Sequence, residues 1–140
     1  MPPTMAFTLV KGSILLVLHT KENPSDDVFE EYIKFAGDNI RRIKSTMILT
    51  EGGGPNAMQR GLSNDLLETH NIKAKIAVVT LSRAIRGIVT ALSWFNPNIK
   101  AFSTIQIPAA MEYLEVPRED RDAVVREVKA LRKKLDLPVD

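Results

Sequence analysis

Two apolar runs of different texture open the chain. Phe7 to Val10 alternates apolar and polar side chains, the mark of a strand with one wet face, whereas Ile14-Leu15-Leu16-Val17-Leu18 is apolar throughout, as in a strand buried on both faces. Lys11-Gly12-Ser13 can turn between them, so the pattern predicts a hairpin. After the breaker Asn23-Pro24-Ser25, apolar Val28, Tyr32, Phe35, Ala36, Ile40 and Ile43 recur at three- and four-residue spacing. Asp26 and Asp27 occupy the first turn, where a helix dipole favours negative charge, and the segment predicts an amphipathic helix.

Thr46 to Thr50 reads as a short strand, followed by the loop Glu51-Gly52-Gly53-Gly54-Pro55-Asn56 and a helix marked by Met58, Leu62 and Leu66 that ends near His70-Asn71. Ile76 to Thr80 is the next buried strand. Ser82 can cap a helix carrying Ile85, Ile88, Val89, Leu92 and Phe95 on one face, and Asn96-Pro97-Asn98 stops it before a strand at Lys100 to Ser103. Pro108 to Leu114 predicts a brief helix. Pro117 then opens a long one, about 117–136, whose Val124, Val128, Leu131 and Leu135 form an apolar stripe. Its acids, Glu119, Asp120 and Asp122, come early and its bases, Arg132, Lys133 and Lys134, late, which suits the helix dipole and a solvated face.

The order is ββαβαβαβα plus an extra C-terminal helix. Right-handed crossovers force strands two to five to run parallel, so the fold class is α/β with a single mixed, mostly parallel sheet of about five strands. We read 1–140 as a single domain with a core at about 5–115, since no linker, repeat or low-complexity tract divides it.

Composition removes several functions. A net charge of +2 carries no nucleic-acid footprint, and the lack of cysteine excludes disulfides, zinc-thiolate sites and thiol catalysis. Met-Pro-Pro-Thr-Met is no signal peptide and no apolar run approaches about 18 residues, so the expectation is a cytoplasmic protein without a membrane span.

Candidate chemistry collects on one rim, at the C-terminal ends of the parallel strands, where open α/β sheets bind ligands. His19, Glu51 with Gly52, Gly53 and Gly54, Asn56 with Gln59 and Arg60, and Ser82 with Arg83 and Arg86 all reach it. The glycines either cradle an anion with free N–H groups at a helix start or make a tight turn before Pro55. Arg83 and Arg86 oppose the dipole of their helix, a conflict that a ligand phosphate, a phosphorylated partner or the Glu51 carboxylate would relieve. His19, Ser82 and Glu51 are residue types of an acid-base or nucleophilic site, yet no Gly-x-Ser-x-Gly surrounds Ser82, which reads as a helix cap. His70 reads as capping chemistry. Two isolated histidines give no metal-ligand spacing, and no cofactor motif is present, so catalytic, metal and cofactor assignments are all none. Trp94-Phe95 beside Pro97 reads as core packing; an exposed pair there would mark a partner surface.

The element order, the glycine loop before helix two, Ala-Val-Val-Thr-x-Ser-Arg at 77–83 and Ile-Lys-Ala-Phe…Ala-Ala-Met-Glu-Tyr-Leu at 99–114 together resemble SpoIIAA-like proteins of the STAS superfamily, over roughly 5–115. The resemblance implies a module that binds partner proteins and, in some branches, nucleotides or lipids; enzymes are not typical of such domains. In the anti-sigma-antagonist branch a phosphorylatable Ser opens the second helix. That place falls within Gly53 to Ala57, which holds no Ser or Thr, and Thr50 and Ser63 flank it at the wrong positions. A phosphorylation switch is therefore not carried over.

The expected function is a non-enzymatic regulatory or protein-interaction module that engages a protein partner or small anionic ligand at the glycine-loop rim, through Gly52, Gly53, Gly54, Asn56, Arg60, Ser82, Arg83 and Arg86. The alternative is a carrier of a lipid or nucleotide, with the arginines on its head group. A small hydrolase would need His19 and Ser82 within hydrogen-bond reach. A homodimer through the last helix is equally compatible with its stripe.

Overall fold

A computed structural model describes residues 3–139. Strands β1 (Met5–Val10) and β2 (Ile14–His19) form the hairpin. Lys11, Gly12 and Ser13 connect the paired ends Val10 and Ile14; Lys11 and Gly12 both take positive φ, 52° and 70°, and Ser13 N–H donates to the Val10 carbonyl at 3.1 Å, closing the turn. Strands β3 (Ser45–Thr50), β4 (Lys75–Thr80) and β5 (Ile99–Phe102) then add in parallel, in the spatial order β1-β2-β3-β4-β5.

Each crossover steps one strand in the same direction. Right-handedness therefore places α1 (Asp26–Asp38), α2 (Ala57–Thr69) and α3 (Arg83–Ser93) on one face of the sheet. The alternation of β2 shows the two layers directly. Leu15 and Val17 pack with Phe29 and Ala36 of α1, while Leu16 and Leu18 pack on the opposite face with Met47, Leu49 and the C-terminal helices α4 (Ile107–Tyr113) and α5 (Arg118–Lys134). An unbroken apolar strand is what a two-sided core requires.

The long helix α5 covers the sheet over β1 and β2. Its predicted stripe Val124, Val128, Leu131 and Leu135 is buried to the last residue, with each side chain contributing about 1.5–3 kcal/mol by leaving water. The stripe packs on the chain's own sheet.

Ser25, Asn56 and Ser82 each accept a hydrogen bond from the N–H three residues on, as caps. Helix α1 stops at Asp38, earlier than its periodicity suggests, and Ile40 and Ile43 are buried in the turns that follow.

Helix α3 departs from expectation. Of its predicted apolar face, Val89 alone is buried; Ile88 is 62% exposed, Leu92 51% and Phe95 87%, with Trp94 at 78%. The expected core packing of Trp94-Phe95 is thus overturned. The physical reason is position: α3 lies over β4 and β5 at the end of the sheet, so one flank meets the strands and no further layer covers its outer side.

Candidate functional site

The register aligns His19, Thr50 and Thr80 in one row across the C-terminal edge of β2, β3 and β4. Period-two alternation turns all three toward the helices α1 to α3, with Val17, Ile48 and Val78 one step behind them. Thr80 Oγ1 donates to the Thr50 carbonyl at 2.9 Å, and Thr50 Oγ1 donates to the Gly53 carbonyl at 2.5 Å while accepting from Gly52 N–H at 2.9 Å. His19 is different. It is 3% exposed, and its Nδ1 is shut off from solvent with no hydrogen-bond partner among the described residues. Burial lowers its pKa from the ordinary 6.5 to about 4, because the charged ring cannot be solvated there, so the imidazole is neutral at pH 7.

The glycine loop is knitted into the chain. Gly53 N–H donates to the Thr20 carbonyl at 2.8 Å and Gly54 N–H to Asn23 Oδ1 at 3.3 Å, so with Gly52 all three glycine amides are engaged internally. Gly53 has to be glycine, since an added Cβ would overlap the Glu22 carbonyl oxygen and come within 2.6 Å of that of Thr20. Gly52 has φ of 139°, which side-chain-bearing residues rarely adopt. Asn56 and Gln59 cap one another reciprocally. The buried Gln59 amide also donates to the Pro24 carbonyl and to Asp26 Oδ1, at 3.1 and 3.0 Å, strapping the start of α2 to that of α1.

That strap holds α2 on α1, where Leu66 meets Gly37, and leaves space between α2 and the strands. The space is an open cleft of about 550 Å³. Val17, Ile48 and Val78 form its floor, Phe29 and Tyr32 of α1 and Ile85 and Val89 of α3 its sides, and Ala57, Arg60 and Ser63 of α2 its roof. His19, Asn23, Thr50 and the glycine loop close one end. Arg60 is the one charged side chain among the lining residues, and none is acidic. Its Nη1 donates to the Pro55 carbonyl at 2.9 Å, which orients the guanidinium and leaves its other donors available. Burial also pushes the Tyr32 phenol up to about 12.

Of the residues singled out from the sequence, Gly52, Gly53, Gly54, Asn56 and Arg60 line this cleft, as does His19. Ser82, Arg83 and Arg86 do not line it. Ser82 Oγ accepts from Ile85 N–H at 3.2 Å, Arg86 donates to the Thr80 carbonyl at 3.1 Å, and Arg83 is exposed. Glu51 does not relieve the arginines of α3. It points to the other face of the sheet, where Arg132 of α5 donates to it at 2.8 Å. Nor do His19 and Ser82 meet: β3 lies between their strands, which puts about 10 Å between the two backbones. His70 Nδ1 lies 3.0 Å from the Leu66 carbonyl at the end of α2, in a capping arrangement.

Asn23, Tyr32, Ser63, Val78 and Ile85 were not predicted to share a site. They come from four elements and the loop between β2 and α1, and the cleft exists because α2 stands off the sheet, for which a single sequence offers no local signal.

No protein-family model matches the chain, and no curated protein matches it. Its architecture is similar to that of an uncharacterised protein of the DUF3478 family from Shewanella loihica PV-4, whose crystal structure is described as having a SpoIIAA-like fold. The TM-score is 0.62 at 14% identity, over 80% of this chain and 94% of that one. The chain therefore has a SpoIIAA-like fold, in agreement with the resemblance drawn from 77–83 and 99–114. Among the described residues no helix is long and apolar enough to cross a membrane.

Proposed function

We propose that this chain is a non-enzymatic ligand-binding module that holds a small amphipathic anion in the cleft between α2 and the sheet. The lining of the cleft carries the reading. Its volume lies within the roughly 300–1,000 Å³ of ligand pockets, its floor and sides are aliphatic and aromatic, and its single charge is the cation of Arg60. An apolar body would take the place of water over Val17, Ile48 and Val78, and a carboxylate or phosphate head would meet Arg60 with no acidic residue in the lining.

A non-catalytic role accords with the occupation of the reactive residue types. Ser82 is spent on its cap, Glu51 on Arg132, and His19 stands apart from both. The regulatory reading at the glycine-loop rim is kept in a narrower form, since that loop closes one end of the same cleft and an occupant there would bear on the start of α2.

Calorimetric titration with decanoate, decanol and decylamine tests this. Decanoate binds best, decylamine does not bind, and Arg60→Ala weakens decanoate by about five- to tenfold, the loss of one partly exposed charge interaction. Absence of binding by all three at millimolar concentration would overturn the reading.

A further inference from the structure

The outer side of α3 is apolar where a surface helix is ordinarily polar. From Ala84 onward, Ile88, Leu92, Trp94 and Phe95 face solvent, and the helix carries no acidic residue. The surrounding chain shares that bias. Between Glu68 and Glu112 there is no Asp or Glu at all, while Lys73, Lys75, Arg83, Arg86 and Lys100 all fall in this stretch. Among the described residues, Lys75 alone of these has a carboxylate within 4 Å, that of Glu115 at 3.8 Å.

The cations bracket the apolar strip. Arg83 and Arg86 stand at the first turn of α3. Lys73 and Lys75 lie near its far end, because Ile76 N–H donates to the Asn98 carbonyl at 2.7 Å and so brings the start of β4 beside the loop after Trp94 and Phe95.

We propose that this face of α3 docks on an anionic lipid surface, with Ile88, Leu92, Trp94 and Phe95 entering the interfacial layer and the flanking Arg and Lys side chains on lipid head groups. A short helix with an apolar outward strip and basic ends is matched to such an interface. Trp is well suited to the depth where apolar and polar surroundings meet. Charge argues against a second copy as the occupant, since a twofold pairing through α3 would set Arg83 and Arg86 against their own counterparts when the helices run parallel, or against Lys73 and Lys75 when they run antiparallel, with no acid in the stretch to offset them. Ile85 and Val89 continue the strip into the cleft, yet the docking stands on the outer residues alone and holds whether or not the cleft is filled.

Trp94 is the sole tryptophan, so its emission reports from within the proposed contact. The test is titration of the whole protein at low salt with phosphatidylcholine vesicles and with phosphatidylcholine–phosphatidylglycerol vesicles, followed by emission and co-sedimentation. The anionic vesicles shift emission to the blue and carry the protein down; the neutral ones do neither. Arg83→Ala with Lys73→Ala, both exposed side chains, weakens binding about thirtyfold, from about 1 kcal/mol for each charge. Ile88→Ser with Phe95→Ser abolishes the blue shift while thermal unfolding is unchanged. The proposal is overturned by unchanged emission and no co-sedimentation on anionic vesicles. It is equally overturned by equal binding to both vesicle types, or by a blue shift that develops with protein concentration in their absence, which would make a second copy the occupant.

Discussion

Arg132, in the last turn of α5, donates through Nη2 to Oε1 of Glu51, just beyond the end of β3, at 2.8 Å. The two residues are 81 positions apart, and both side chains are about three-quarters buried. The charged end of a helix whose apolar stripe covers one face of the sheet is thereby tied to the loop that closes the cleft on the other face. Arg132 also donates through Nε to the Pro138 carbonyl, which fixes its fork.

Removing either partner leaves a largely buried charge without its counterpart. Glu51→Gln and Arg132→Ala are each expected to cost about 1 kcal/mol, with a coupling of about 0.5–1 kcal/mol in a double-mutant cycle by urea unfolding. Purely additive losses would show that the pair does no more than share a surface.

The glycine loop offers a contrast between adjacent positions. Gly53→Ala has to displace the β2–α1 backbone and is expected to cost at least about 2 kcal/mol, whereas Gly54→Ala meets open space and stays within about 0.5 kcal/mol. Thermal unfolding of the two variants side by side gives the answer, and equal effects would contradict the packing of Gly53 against Glu22 and Thr20.

His19 couples stability to acid. Its folded pKa of about 4 lies below the unfolded value near 6.5, so between those values the unfolded chain binds more protons and stability falls as pH drops. The contribution of this one group is complete above pH 6.5 and reduced by about 3 kcal/mol at pH 4. In urea unfolding at pH 7 and pH 4.5, His19→Leu is expected to lose much less stability on acidification than the native chain. An unchanged difference would place the acid sensitivity elsewhere.

Two neighbours on α3 separate burial from periodicity. Val89→Ala opens space against the sheet and is expected to cost about 1–3 kcal/mol, while Ile88→Ala, one residue earlier, costs less than about 0.5 kcal/mol. A comparable loss at Ile88 in chemical unfolding would mean that the outer side of α3 is covered in solution.

Most of the architecture was legible because local signals and topology agree. The two textures of β1 and β2, the breaker before α1 with its acidic first turn, the cap at Ser82 and the stripe of α5 each fix an element, and right-handed crossovers do the rest. Periodicity marks which residues of a helix share a face, and it is silent on what that face meets. Ile88, Leu92 and Phe95 read as core for that reason and are exposed because the sheet ends beneath α3. The rim was legible as a place and in part of its contents, the glycine loop with Asn56, Arg60 and His19, whereas Glu51 and the α3 residues Ser82, Arg83 and Arg86 fall outside the cleft. Sequence proximity joins Glu51 to the glycine loop, whereas strand alternation sends it to the opposite face; and the cleft depends on the stand-off of α2, which the buried amide of Gln59 sets across 33 residues.

The most direct measurement is native mass spectrometry of the protein after gentle purification, beside a denatured control and a sample incubated with decanoate. Occupancy of the cleft predicts a small mass that travels with the folded chain, either carried from the host or taken up from decanoate, and that is lost on denaturation and reduced in Arg60→Ala. A bare chain in every sample would contradict the assignment of this cleft as a ligand site.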